Sequence, residues 1–234
     1  FEEDNAAAPV CHDCHGYHSA RPPGVETLEQ VCAKCHTATA EFFEQSRHAV
    51  VYPKLGIKDC LNCHNQHKLE RPTEDYFNPE NEAACARCHP TGSAQAKVID
   101  LINKTIRKIS RLQGNAQKLI LETEKTTHLS MTETRPKLDQ ITTHLITARA
   151  KQHTLNPQLV VEELKAAEET YNEMEKFAGG LIERAKRVKL IVLVLAFLLA
   201  TYGVYLLAYR KLVLDKIYPW QPYGEDSKHD TSHC

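Results

Sequence analysis

Residues 1–93 show no apolar periodicity longer than a single turn, which excludes an ordinary hydrophobic core for that part of the chain. Glycine, proline, asparagine and histidine are common there, and small regions so built are normally held by disulfides, metals or cofactors. The net charge of -1 leaves no basic surplus to neutralise phosphates, so nucleic acid is excluded as a partner. Charges are plentiful but mixed in sign, as on a solvated surface. Cysteine is missing from the long stretch after Cys88. Eight of the nine cysteines lie in the first 90 residues, and only Cys234 lies beyond. Methionine is nearly missing too, with Met131 and Met174 both remote from the cysteines. So lopsided a distribution implies two regions with different ways of staying folded. The chain starts at Phe1 and not at a methionine, so a preceding stretch is expected to have been removed or left out, and a cleaved signal peptide fits.

What the cysteine-rich region does contain is an internal repeat. Cys11-His-Asp-Cys-His-Gly-Tyr-His18 is followed by Arg21-Pro22 and then by Cys32-Ala-Lys-Cys-His36. Cys60-Leu-Asn-Cys-His-Asn-Gln-His67 is followed by Arg71-Pro72 and then by Cys85-Ala-Arg-Cys-His89. Each half reads CxxCHxxH, Arg-Pro, CxxCH, and duplication of one two-site unit explains it. Two cysteines three apart can form thioethers to both vinyl groups of one haem, and the adjacent histidine then reaches the iron. Zinc is the competing reading, because four CxxC pairs could make two Cys₄ sites. Zinc ribbons, however, do not require a histidine after the second cysteine. With 13 histidines in 234 residues, four such coincidences have a chance on the order of 10⁻⁵. A disulfide framework likewise leaves the histidines without a role. Outside these motifs no acid–base pair or nucleophile constellation appears.

On these motifs the chain resembles the multihaem cytochromes c, in particular the cytochrome c3-like and doubled-CxxCH groups. The resemblance covers residues 11–89. It implies four covalent haems c on Cys11 and Cys14, Cys32 and Cys35, Cys60 and Cys63, and Cys85 and Cys88. His15, His36, His64 and His89 are the implied proximal ligands, with a second histidine usual on each iron. Methionine is too scarce and too distant to serve, so bis-histidine ligation and low potentials are expected. His18 and His67 hold matching repeat positions and resemble the second histidine of CxxCHxxH motifs. His48, upstream of Cys60, resembles the distal ligand of doubled-CxxCH proteins. No histidine precedes Cys11 in the same way. The fourth distal ligand is therefore sought among His12, His128, His144 and His153, or is missing, and His144 is the reading preferred on sequence.

Beyond residue 93 the pattern becomes helical. Val98, Ile102, Thr105, Ile109, Leu112, Ala116 and Leu119 recur at alternating steps of four and three. A break at Ser130–Pro136 precedes a second seam of Leu138, Ile141, Leu145 and Ala148. Asn156 as cap and Pro157 at the first helical position then open a third helix. Its seam is Val160, Leu164, Ala167, Tyr171, Met174, Ala178 and Leu181. Leu190–Tyr209 is a run of twenty residues without a charge, long enough at roughly 30 Å to span a bilayer core. Lys186, Arg187 and Lys189 flank it on one side and Arg210 and Lys211 on the other. Tyr218, Trp220 and Tyr223 suit an interface.

The expected fold class is mostly α: a loop-rich tetrahaem domain, an elongated antiparallel helical bundle and one C-terminal transmembrane helix. The expected domains are residues 1–93 for the haems, 94–188 for the extracytoplasmic bundle, 189–211 for the span and 212–234 for a short cytoplasmic tail. The tail's His229, His233 and Cys234 match no standard metal site and read as a polar terminus.

The expected function is electron relay on the extracytoplasmic side of the cytoplasmic membrane, as one subunit of a respiratory complex. Its expected partners are the other subunits, a redox protein as donor or acceptor, the lipid bilayer, and quinol through a partner. The role resembles that of the NapC/NrfH membrane-anchored cytochromes, whose membrane helix precedes the haems instead of following a bundle. Two other readings exist. One is a multihaem reductase for nitrite, hydroxylamine or a sulfur oxyanion, which needs an open haem position. The other is a redox sensor, which, with so few residues after the span, would require a separate signalling partner.

Overall fold

The computed structural model describes residues 9–17, 24–26, 28–64 and 85–217. The chain divides into two compact units, Phe1–Leu181 and Ile182–Cys234. The described residues hold eight α-helices and no strand.

The cysteine-rich region, read from its sequence as loops, contains five short helices among its described residues. They are α1 (Cys11–His15), α2 (Leu28–Cys35), α3 (Thr37–Glu44), α4 (Arg47–Leu55) and α5 (Asp59–Cys63). Each is at most nine residues long, below the length at which a helix is stable by itself or shows a clear hydrophobic period. Local chemistry sets their ends. The Asp13 carboxylate accepts from the Val10 N–H at 2.8 Å to start α1. Ser46 caps α4 by accepting from Ala49 N at 3.3 Å. Gly56, at φ 63°, ends α4 in the left-handed region that a side chain resists.

The bundle follows the three sequence seams. Helix α6 (Ala94–Thr127) opens with Ser93 accepting from Ala96 N at 3.0 Å. It closes at His128, a non-glycine residue at φ 57° whose N–H donates to Glu124 O. Helix α7 (Arg135–Lys151) carries Pro136 in its first turn, where the missing N–H costs nothing. A 3₁₀ turn, Gln152–Thr154, and Leu155 at φ 58° lead to α8 (Pro157–Ile217). Asn156 accepts from Gln158 N at 3.1 Å, the capping bond its position predicts.

Ile102, Ile109, Ala116, Ile141, Leu145, Ala148, Val160, Ala167, Met174 and Ala178 form one buried cluster, with Val98, Leu112, Leu119, Leu138, Leu164, Tyr171 and Leu181 packed on it. Fully burying a side chain such as Ile109 contributes about 2 kcal/mol, and Ile109 and Ile141 are both wholly enclosed. Polar ties fix the antiparallel order. Gln113 donates to Thr142 at 2.9 Å between α6 and α7. Lys137 bonds Glu173, and His144 and Lys151 both bond Glu163, between α7 and α8. Lys108 meets Glu168 at 2.5 Å between α6 and α8. Ile99, Ile106, Ile120 and Met131 are buried as well, though the seams omit them.

In the second unit α8 continues from Ile182 to Ile217. Among the described residues this helix is the one long and apolar enough to cross a membrane, with mean hydropathy 2.6 in its most apolar window and none of that window buried. Tyr202, Tyr205 and Tyr209 line one side, with successive ring centroids 6.4 Å apart.

Candidate functional site

Three of the four motifs end or follow a short helix, and the fourth is a turn, so all present their thiols and histidines from tight local structure. Cys11, Cys14 and His15 lie on α1. Cys32 and Cys35 close α2, with His36 at the N-cap of α3. Cys60 and Cys63 lie on α5, with His64 at its C-cap, and Cys85–Cys88 form a turn before His89. No disulfide joins any of these eight cysteines. Among the described residues no cluster of His, Cys, Asp or Glu side chains is arranged to hold a bare metal ion.

The motifs are neighbours in sequence order. Burial, then the proximity of Cys32, Asp13, Cys35 and Cys11, raises the pKa of the Cys14 thiol, which places motif one against motif two. A bond with Cys32 and then burial raise that of Cys60, which places motif three against motif two. Burial, then Cys63, pushes Cys85 up to about 11, which places motif four against motif three. Arg87 of motif four also donates to Asn62 O in motif three at 2.6 Å.

Two histidine pairs stand out. His48 on α4 lies with its ring centroid 5.9 Å from that of His89, the planes 15° apart. Tyr52, one turn on, stacks on His48 at 4.6 Å and is itself buried. Its hydroxyl reaches Cys63 Sγ at 3.9 Å, and burial followed by Cys63 pushes its pKa up to about 12. Sequence reasoning missed Tyr52. Its only signal there is the i, i+4 spacing from His48, which makes them neighbours on a helix. The second pair is His64 with His153, ring centroids 6.3 Å apart. His153 comes from the 3₁₀ turn between α7 and α8, and that turn packs against α3. Burial, then His89, lowers the pKa of His48. Burial, then His153 and His36, lowers that of His64. Burial lowers that of His153 against the pull of the Ala150 and Arg149 carbonyls. Each shift is toward the neutral imidazole.

The other candidates are placed differently. His144 Nδ1 bonds Glu163 Oε2 at 2.7 Å inside the α7–α8 contact. His12 stacks on Tyr17 at 4.6 Å within its own motif. His128 is the exposed cap of α6. His18 and His67 lie outside the described residues.

Residues 31–111 match the family described as cytochrome c554 and c-prime. No curated protein and no solved structure matches the chain. The match contains three of the four CxxCH motifs, begins after the first, and runs on into α6. It supports a c-type multihaem cytochrome with covalently bound haem c and haem-based electron transfer.

The residues of this chain fit such a group. Each described motif offers two thiols beside a histidine, and no disulfide consumes those thiols. Two imidazoles bonded to one first-row metal at about 2 Å each, with about 1 Å more from each nitrogen to its ring centre, stand roughly 6 Å apart between centroids. The two pairs, at 5.9 and 6.3 Å, have that span.

Proposed function

We propose that this chain is a membrane-anchored tetrahaem cytochrome that relays electrons outside the cytoplasm as a subunit of a respiratory complex. The observation that carries the reading is the file of four CxxCH motifs, with α1 packed on α2, α2 on α5, and Arg87 of motif four bonded to Asn62 of motif three. Covalently bound haem supplies one-electron redox chemistry at its iron. The protein's own part is to tether, ligate, bury and space the haems.

Each cysteine pair, Cys11 and Cys14, Cys32 and Cys35, Cys60 and Cys63, Cys85 and Cys88, holds one haem. His15, His36, His64 and His89 are the proximal ligands. His48 is the distal partner of His89, its ring orientation set by Tyr52. His18 and His67 serve the first two motifs. The haem region occupies residues 1–93 and the extracytoplasmic bundle 94–188. Residues 189–211 cross the cytoplasmic membrane once, leaving residues 212–234 on the cytoplasmic side. The uncharged run Leu190–Tyr209, exposed on every side of its helix, supports the anchor, since in water so wide an apolar surface has nothing to cover it. The bundle offers its surface to the other subunits, and quinol is met through one of them.

The reductase reading needs an iron with an open position. Histidine pairs of bridging span at motifs three and four support closed irons there, and so favour relay. The test is stepwise reductive titration of the detergent-solubilised holoprotein, followed with and without nitrite and hydroxylamine. A relay gives bis-histidine spectra at low potentials and no turnover. Catalytic reduction of either compound would overturn the reading.

A further inference from the structure

We propose that His153, from the turn between α7 and α8 of the helical bundle, is the distal iron ligand of the haem attached at Cys60 and Cys63. The inference rests on the tetrahaem reading and assigns the ligand its sequence leaves open. His153 lies beyond residues 31–111, so the family match does not bring it in. Three observations carry it.

The first is the pairing itself. His64 is the histidine of the third motif, and the ring of His153 stands 6.3 Å from it, centre to centre. The second is the hydrogen bond on the other side of the His153 ring. Nδ1 lies 3.1 Å from Ala150 O, and a carbonyl only accepts, so Nδ1 carries the proton. Nε2 is then the nitrogen with a free lone pair, the tautomer that a histidine ligand held by a backbone carbonyl adopts. The third is the rigidity of the turn. Thr154 Oγ1 donates to Lys151 O at 2.8 Å, the Asn156 N–H donates back to Thr154 Oγ1 at 3.0 Å, and Leu155 takes the left-handed conformation at φ 58°. Beside His153, Gln152 Oε1 is a buried acceptor without a hydrogen-bond partner among the described residues. Of the other bundle candidates, His144 bonds Glu163 within the α7–α8 contact and His128 is the exposed cap of α6, whereas α3 packs on the turn that carries His153.

One consequence is architectural. The bundle then supplies a ligand to the haem region, and α3 packed on the same turn holds the two together. A scaffold that bonds directly to one iron of the relay ties the order of that haem to the order of the bundle.

The experiment uses the full chain, haem-loaded and in detergent, as the parent, His153→Ala, His153→Met and His144→Ala. Pyridine haemochrome assay counts haems, and low-temperature EPR counts spin states. The expected result is four haems in both alanine variants, with one additional haem in four turning high-spin in His153→Ala alone. Added imidazole returns it to low spin. His153→Met stays low-spin, and one of the four midpoint potentials rises, as thioether ligation requires. If His153→Ala loses haem during assembly, the decision passes to His153→Met. Unchanged spin states in His153→Ala, or four unchanged potentials in His153→Met, would overturn the assignment. Fewer than four haems in the parent would instead defeat the tetrahaem reading on which it rests.

Discussion

The cysteine-rich region and the bundle solve the same problem by opposite means. The bundle of α6, α7 and the first turns of α8 has a continuous apolar seam, and residues such as Ile109, Ile141, Val160 and Ala167 are wholly enclosed. Of the described residues before Ser93, only Val31, Ser46 and Tyr52 are buried. One region is held by its side chains. The other is built of short helices that end in metal-ligand motifs, and its apolar mass must come from the haems attached to it. Density of cysteine and histidine therefore substitutes for density of leucine and isoleucine.

The largest effect expected from this contrast follows loss of haem. Replacing all eight motif cysteines with serine removes the tethers, and the cysteine-rich region should lose its fold outright while the bundle keeps its helices. Limited proteolysis with far-UV circular dichroism checks this. Cleavage confined to the first 93 residues is the predicted result, and equal protection of both regions would break the comparison.

Next comes the bundle core. Ile109→Ala or Ile141→Ala removes a fully buried side chain and should cost about 3 kcal/mol in chemical denaturation. The haem spectrum of the folded protein should not change.

Smaller is the effect of Glu163→Gln, about 2 kcal/mol, because the carboxylate accepts charged hydrogen bonds from Lys151 and His144 in a half-buried contact. Burial raises the Glu163 pKa, but the bonds and charges of Lys151 and His144 outweigh it, and the net shift is downward. A depressed folded pKa means that the folded state holds fewer protons. This stabilisation is therefore complete above the usual carboxylate pKa, about 4.3, and is lost as pH falls through the depressed value. Melting curves between these limits should show the loss in the parent chain and a flatter profile in Glu163→Gln. The smallest effect belongs to Asp100→Asn, which removes the exposed i, i+4 pair with Lys104 and should change stability by less than about 0.5 kcal/mol.

Much of the bundle was legible in the sequence, because two residues per two turns repeat long enough to register. The seams at Val98–Leu119, Leu138–Ala148 and Val160–Leu181 name residues that the structure buries or packs against the core. Ile99, Ile106 and Ile120 were missed because a two-position seam is narrower than the stripe a three-helix core covers. Met131 was missed because it lies in the break between helices, where no period exists. Its N–H donates to Glu124 Oε1 at 2.8 Å, and its side chain plugs the end of the core. The short helices α2 to α4 gave no signal for lack of length.

At the site the motifs were legible because attachment chemistry demands fixed spacing. The pairing of histidines across the fold was only partly so. His48 was a candidate by resemblance, and the structure sets its ring beside that of His89. His153 was one of several candidates behind His144, the reading preferred on sequence, since nothing local marks it out. What separates them is tertiary: α3 packs on the turn that carries His153, whereas His144 faces Glu163.

The measurement closest to the central claim is haem stoichiometry on the purified full chain, by pyridine haemochrome assay against protein mass. The account predicts four covalent haems per chain, all low-spin by EPR. Three or fewer would contradict it, and would make the first motif, which lies outside the family match, the place where the account fails.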